Sequence, residues 1–189
     1  LITSWRARLE SDANPVDILP FYFVQLSSIE RSSWPSFRDS QRRLSAEIPR
    51  VYMAVSSDLG DSLDVHPREK LPIGIRLSNL VQKHEFKVNI NADSPQPARA
   101  YLSGEDKTVI EFTNARALQV NNGAEPRGFQ GMDAQGNLIE LKVQQIKGNR
   151  VTLNNPKALR EIYYGYQPFT RANLENEAAV AVSTFSLTY

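Results

Sequence analysis

The stretch "VYMAVSSDLGDSLDVHP", Val51 to Pro67, decides how this chain is read. Its first six residues, 51–56, are apolar on both sides of an extended chain, as in a parallel strand covered on both faces. An acidic loop follows, with Asp58, Asp61 and Asp64, and then His66. From His66-Pro67 a helix is expected to run to about His84, with Leu77, Leu80 and Val81 on its buried side. Upstream, "ILPFYFVQL" (18–26) is a second nearly continuous apolar run, again a strand buried on both faces. Between the strands, Ser33-Trp34-Pro35 opens a helix, with proline tolerated in its first turn. Phe37, Gln41, Leu44 and Ile48 share one face of it, and Pro49 closes it. Leu1, Ile2, Trp5 and Leu9 form one stripe of an opening helix that ends near Asn14-Pro15.

This half therefore reads helix, strand, helix, strand, loop, helix. Two parallel strands with a right-handed helical crossover make a sound unit. Two strands rarely stand alone, so further strands are expected from sequence upstream of Leu1. The chain begins within a helical pattern and without methionine, as a fragment or processed product would.

From about Asn89 the texture changes. "SPQP" (94–97) reads as a linker or the start of a strand. Short alternating runs then recur at 98–102, 108–112, 117–120, 128–132, 138–146, 150–153, 161–166 and 179–187. Turn signals separate them at 103–106, 121–123, 134–137, 148–149 and 154–156. Many short strands with such turns predict an antiparallel β-sandwich. The expected division is an α/β part over 1–88 and a β-sandwich over 89–189.

Composition narrows the function. The 189 residues carry a net charge of +1, so no global field favours nucleic acid or an anionic membrane. Apolar residues make up 41%, enough for a core. There is no cysteine, which excludes disulfides and zinc-thiolate sites. No apolar run approaches ~18 residues, and no signal peptide is visible.

The loop before His66 carries the chemistry. In open α/β sheets, sites lie beyond the carboxyl ends of strands. A histidine with its ordinary pKa of ~6.5 takes and returns a proton near neutrality. Asp64, two residues earlier, or Asp61, five earlier, would fix its tautomer. The alternatives are a histidine that merely starts a helix, and a metal site from Asp58, Asp61, Asp64 and His66, whose spacing matches no ligand motif. The letters G-D-S-L (60–63) name a group of serine esterases, with Ser62 as nucleophile. There the serine directly follows the first strand; here it lies late, in the same loop as its base, so the match reads as chance. Tyr163, Tyr164, Tyr166 and Phe169 would either present aromatic faces to sugars, in a non-catalytic binding or structural module, or pack as core.

Longer stretches carry a resemblance. "LPFYFVQLSS", "WPSFRDSQRRLSAEIP" and "MAVSSDLGDSLDVHPREKLPIGIRLSNL" resemble the later part of sialate O-acetylesterases, carbohydrate esterases of the SGNH-hydrolase superfamily. The family pattern W-x-x-x-R-x-x-Q is met by Trp34, Arg38 and Gln41. D-x-G-D-x-x-D-x-H-P is met by Asp58, Gly60, Asp61, Asp64, His66 and Pro67. K-x-x-x-G-x-R-L is met by Lys70, Gly74, Arg76 and Leu77. The second half, from "GFQGMDAQGN" to "NLENEAAVAVSTFSL", is similar to that family's C-terminal β-domain. Tyr166 replaces an expected tryptophan, and 182–185 lacks an expected proline. The resemblance implies an SGNH-type parallel-sheet portion followed by the sandwich. It makes His66 the catalytic base and Asp64, before Asp61, its orienting partner; some members manage with serine and histidine alone. The aspartate three residues before the histidine, usual in many such enzymes, is Leu63 here. The serine block and the oxyanion segment of the family lie far upstream, with no counterpart in 1–189. The expected partners are an O-acetylated sugar and that N-terminal segment, with no cofactor and a secreted or periplasmic setting.

Overall fold

A computed structural model of the chain describes residues 1–9, 18–66, 68–121, 125–155 and 159–188. The first part contains α1 (Ile2–Leu9), β1 (Phe21–Val24), α2 (Trp34–Glu47), β2 (Val51–Ala54), a single 3-10 turn (Ser57–Leu59) and α3 (Leu71–His84). β1 and β2 pair in parallel, Phe21 opposite Val51 through Val24 opposite Ala54. Among the described residues neither strand has another neighbour. One face, with Tyr22, Tyr52 and Ala54, packs on Leu77 and Leu80 of α3. The other brings Phe23, Met53 and Val55 against Ala181 from the second part.

Several expectations change here. β1 is only half-buried along its length, because a two-stranded sheet leaves one of its long edges uncovered. The expected stripe of α2 is split: Phe37 is 56% and Leu44 37% exposed, whereas Gln41 and Ile48 are half-buried, Gln41 accepting the Leu26 amide. The buried positions are Pro35, Arg38, Asp39 and Arg42. α3 begins at Leu71, with Pro72 in its first turn, rather than at His66. α1 buries no residue. It is held by the Trp5 ring against Phe21 at 5.9 Å and by the Arg6 side chain, which donates to the Leu19 and Pro49 carbonyls. The stop expected at Asn14-Pro15 lies outside the described residues.

The second part comprises β3 (Gln96–Leu102), β4 (Lys107–Thr113), β5 (Leu118–Val120), β6 (Phe129–Asp133), β7 (Leu138–Glu140), β8 (Val143–Lys147), β9 (Arg150–Asn154), β10 (Leu159–Tyr164), β11 (Leu174–Asn176) and β12 (Phe185–Thr188). Two four-stranded sheets, β3-β4-β9-β8 and β12-β10-β6-β7, are accompanied by the pair β11-β5. Every pairing among these strands is antiparallel. Ile110, Phe112, Val151 and Leu153 of the first sheet meet Phe129, Ile162, Tyr164 and Phe185 of the second in one core. This is the sandwich that the alternating runs predict, since inward residues of both sheets fill the space between them. Fully burying each such side chain contributes about 1.5–3 kcal/mol.

Two details differ. The run 138–146 is two strands: β7 joins β6, and β8 joins β9 in the other sheet, so the chain changes sheets at Leu141–Lys142. β11 is an additional strand, ahead of the run expected at 179–187, which itself narrows to β12. The 134–137 turn forms around Asp133, whose Oδ1 accepts the Gln135 and Asn137 amides, with Gly136 at a φ of +85°.

The two parts are joined by polar contacts. Arg38 is fully buried, with 0% exposure. Its guanidinium donates to Thr184 Oγ1 at 2.9 Å, and to the carbonyls of Pro168 and Gly165 at 3.0 Å and Gln167 at 2.5 Å. Burial lowers its pKa to about 10. Beside it, Gln25 Nε2 donates to Ser183 Oγ and to the Arg38 carbonyl. Asp39 pairs with Arg42 and Arg43 and accepts the Ser186 hydroxyl. α2 thus turns its polar face inward because the sandwich supplies the partners.

Candidate active site

The loop following β2 folds over the loop following β1, at the carboxyl ends of both strands. Ser56 Oγ donates to the Gln25 carbonyl at 2.6 Å, and Ser28 Oγ to the Ser57 carbonyl at 2.8 Å. The Glu30 amide donates to the Ser62 carbonyl, and Ser27 Oγ reaches the Val65 carbonyl at 3.3 Å. Gly60 permits this approach. A Cβ there would stand 2.2 Å from the Ser28 carbonyl oxygen and 2.6 Å from its amide nitrogen. Asp58 takes a two-pronged pair from Arg76 of α3, at 2.7 and 2.6 Å, and the same guanidinium donates to the Val55 carbonyl. Bidentate geometry of this kind fixes orientation as well as adding energy.

At the end of the loop, Asp64 Oδ1 accepts the His66 amide at 2.8 Å and lies 3.3 Å from His66 Nδ1. The His66 side chain is 81% exposed. The hydrogen bond from the His66 amide, joined by the ring, holds the Asp64 carboxyl below its usual range. An exposed imidazole with a carboxylate at Nδ1 leaves Nε2 to exchange protons with a group brought from outside.

The other candidates are placed elsewhere. Asp61 Oδ1 caps the Leu63 amide at 2.9 Å instead of facing His66. With Asp58 held by Arg76, the four side chains weighed as metal ligands do not gather; no group of three or more such ligands occurs among the described residues. Ser62 engages the β1 loop through its carbonyl, and no hydrogen bond joins it to His66 among the described residues. Tyr164 is core, and Tyr163 is buried with its ring 4.8 Å from Tyr166. Of the four aromatics considered for sugars, Phe169 alone borders a cleft of about 310 Å³ beside the loop. The contacts of Ser27 and Glu30 with the Val65 and Ser62 carbonyls, and of Ser28 with Gly60, are made between loops about thirty residues or more apart, so no local spacing announces them.

No protein-family model matches the sequence, and no curated protein matches it. A solved structure does. Over 98% of its length the chain resembles a carbohydrate acetylesterase from Xanthomonas citri, with 30% sequence identity and a TM-score of 0.86. The chain spans 44% of the length of that protein. The likeness takes in both the α/β part and the sandwich, so their relative arrangement is shared as well.

Proposed function

We propose that this chain is the base-bearing portion of a carbohydrate esterase that removes O-acetyl groups from sialic acid or a related sugar. The observation that carries the proposal is the His66–Asp64 pair, exposed at the strand ends of an α/β part that resembles a carbohydrate acetylesterase. In this reading, residues 1–88 complete an SGNH-type parallel sheet begun by a preceding segment, and 89–189 form the sandwich domain. The serine and the oxyanion donors come from that segment, and the setting is secreted or periplasmic.

In this reading one ring nitrogen serves both halves of the reaction. His66 Nε2 takes the serine proton as the serine oxygen bonds the acetyl carbon. The tetrahedral intermediate collapses, the sugar C–O–acetyl link breaks at the acyl carbon, and His66 gives its proton to the sugar alkoxide. A water molecule, deprotonated by the same nitrogen, then bonds the acyl carbon; the bond from that carbon to the serine oxygen breaks, His66 gives the proton to the serine oxygen, and acetate leaves. Asp64 at Nδ1 keeps the tautomer that presents Nε2 as acceptor and stabilises the transient imidazolium.

The test is acetyl release by the complete enzyme from an O-acetylated sugar and from nitrophenyl acetate. His66→Ala is expected to lower it by at least about 100-fold on both. Ser62→Ala is expected to leave it unchanged. Retained activity in the first variant, or collapse of activity with retained fold in the second, overturns the assignment.

A further inference from the structure

The cleft beside the His66 loop lies between the two parts of the molecule. Ser28, Asp58 and Gly60 form one wall, and the segment 169–175, leading into β11, forms the other. Both walls are set before a ligand arrives. Asp58 is held by Arg76, and Gly60 rests on Ser28. On the far side, Arg38 gathers the carbonyls of 165, 167 and 168 immediately before Phe169. Asn173 accepts the Arg127 amide and donates to the Glu125 carbonyl. Thr170 Oγ1 accepts the Ala172 amide.

Against this fixed frame, three lining side chains are uncommitted. Asn121, Arg127 and Arg171 make no side-chain hydrogen bond or ion pair among the described residues. Arg127 and Arg171 line the cleft together with the half-buried Phe169, and these two arginines and Phe169 also border an adjoining hollow of about 240 Å³. The carboxylates on the wall are engaged: Asp58 by Arg76, Glu175 by Gln119. The free groups are thus hydrogen-bond donors around an aromatic ring. That set matches a ring with an apolar face and an oxygen-rich rim. The volume sits at the low end of the ~300–1,000 Å³ usual for small-ligand sites, room for one such ring.

We infer that this cleft is a sugar subsite in which a pyranose lies on Phe169 and its oxygens accept from Arg127, Arg171 and Asn121. Its placement next to the sugar unit carrying the acetyl ester rests on the proposed esterase reading; binding itself does not. The site explains why the α/β part and the sandwich meet at the strand ends: each supplies one wall.

The experiment is a proton–nitrogen NMR titration of the 189-residue chain with methyl β-D-glucopyranoside and, separately, N-acetylneuraminic acid. At least one is expected to shift the amides of Gly60 and of 169–175 saturably. The affinity is expected to fall at least about tenfold in Phe169→Ala and in Arg171→Ala. Tyr101→Ala, on the outer sheet face, is expected to bind normally. Arg171 is exposed, so its variant keeps the fold and remains decisive if Phe169→Ala does not. No saturable shift with either sugar, or undiminished binding in Arg171→Ala, overturns the subsite. In the complete enzyme, Arg171→Ala is expected to raise KM on an acetylated glycan while sparing nitrophenyl acetate. Loss on both substrates overturns the subsite in favour of a catalytic part for Arg171. Sugar binding in an enzyme that releases no acetate overturns the esterase reading and leaves the cleft standing.

Discussion

Asp64 Oδ1 holds His66 at two points, its backbone amide at 2.8 Å and its ring Nδ1 at 3.3 Å. One carboxylate oxygen therefore sets both where the histidine leaves the loop and which ring nitrogen faces outward. The two contributions separate by substitution, because an asparagine keeps the cap on the amide and loses the charge.

Asp64→Asn in the complete enzyme is expected to lower kcat by about tenfold, the scale of an orienting carboxylate in an exposed, screened pair. Asp61→Asn is expected to change it by less than about twofold, since Asp61 serves only the Leu63 amide. A larger loss at Asp61 than at Asp64 would transfer the orienting role.

Gly60→Ala forces a methyl into the Ser28 backbone and is expected to destabilise the chain by about 1–3 kcal/mol, read by denaturant unfolding. Gly74→Ala is the contrasting case. Gly74 lies in α3 with nothing within 4 Å of an added Cβ, so alanine there is expected to stabilise by about 0.5–1 kcal/mol. Equal effects of the two changes would show that the Ser28 contact relaxes freely.

Arg38→Lys keeps the charge but loses the planar fork that reaches three carbonyls and a hydroxyl. The expected cost is about 3–5 kcal/mol in denaturant unfolding, the scale of a buried charge stripped of its partners. A cost below about 1 kcal/mol would mean that water replaces the fork.

Glu177 ties the second part together, accepting from Asn91, Arg116 and the Ala117 amide. Partial burial opposes its ionisation, but hydrogen bonds from its own amide, Ala117, Asn91 and Arg116 prevail and lower its pKa to about 2. A depressed folded pKa contributes stability that is complete above the ordinary carboxylate value of 4.5 and is lost as pH falls toward 2. After allowance for solvent screening, the slope across that window amounts to about 1–2 kcal/mol. Glu177→Gln is expected to flatten it, measured by unfolding at stepped pH.

The order of elements and the sandwich were legible because period-two and continuous apolar runs report burial directly. The face of α2 was not. Phe37 and Leu44 form the better apolar stripe, yet Arg38, Asp39 and Arg42 go inside, because a hydrogen-bond network with 165–168, 184 and 186 outcompetes a stripe that this chain has nothing to cover. The switch of sheets at Leu141–Lys142 was hidden for a different reason: the inward residues Ile139, Leu141 and Val143 alternate straight across it, as they would in one long strand. His66 and Asp64 stood out through residue type and position in the loop, whereas the cleft is assembled by segments more than a hundred residues apart and has no local pattern.

The Arg38 guanidinium also bears on any attempt to treat the sandwich as a transplantable cassette. A cut near residue 88 would strand a bare cation in one piece and three carbonyl oxygens in the other, each deprived of what the opposite piece had offered. Neither fragment would be soundly built without its counterpart, so the two must be swapped, inherited or engineered as a matched pair.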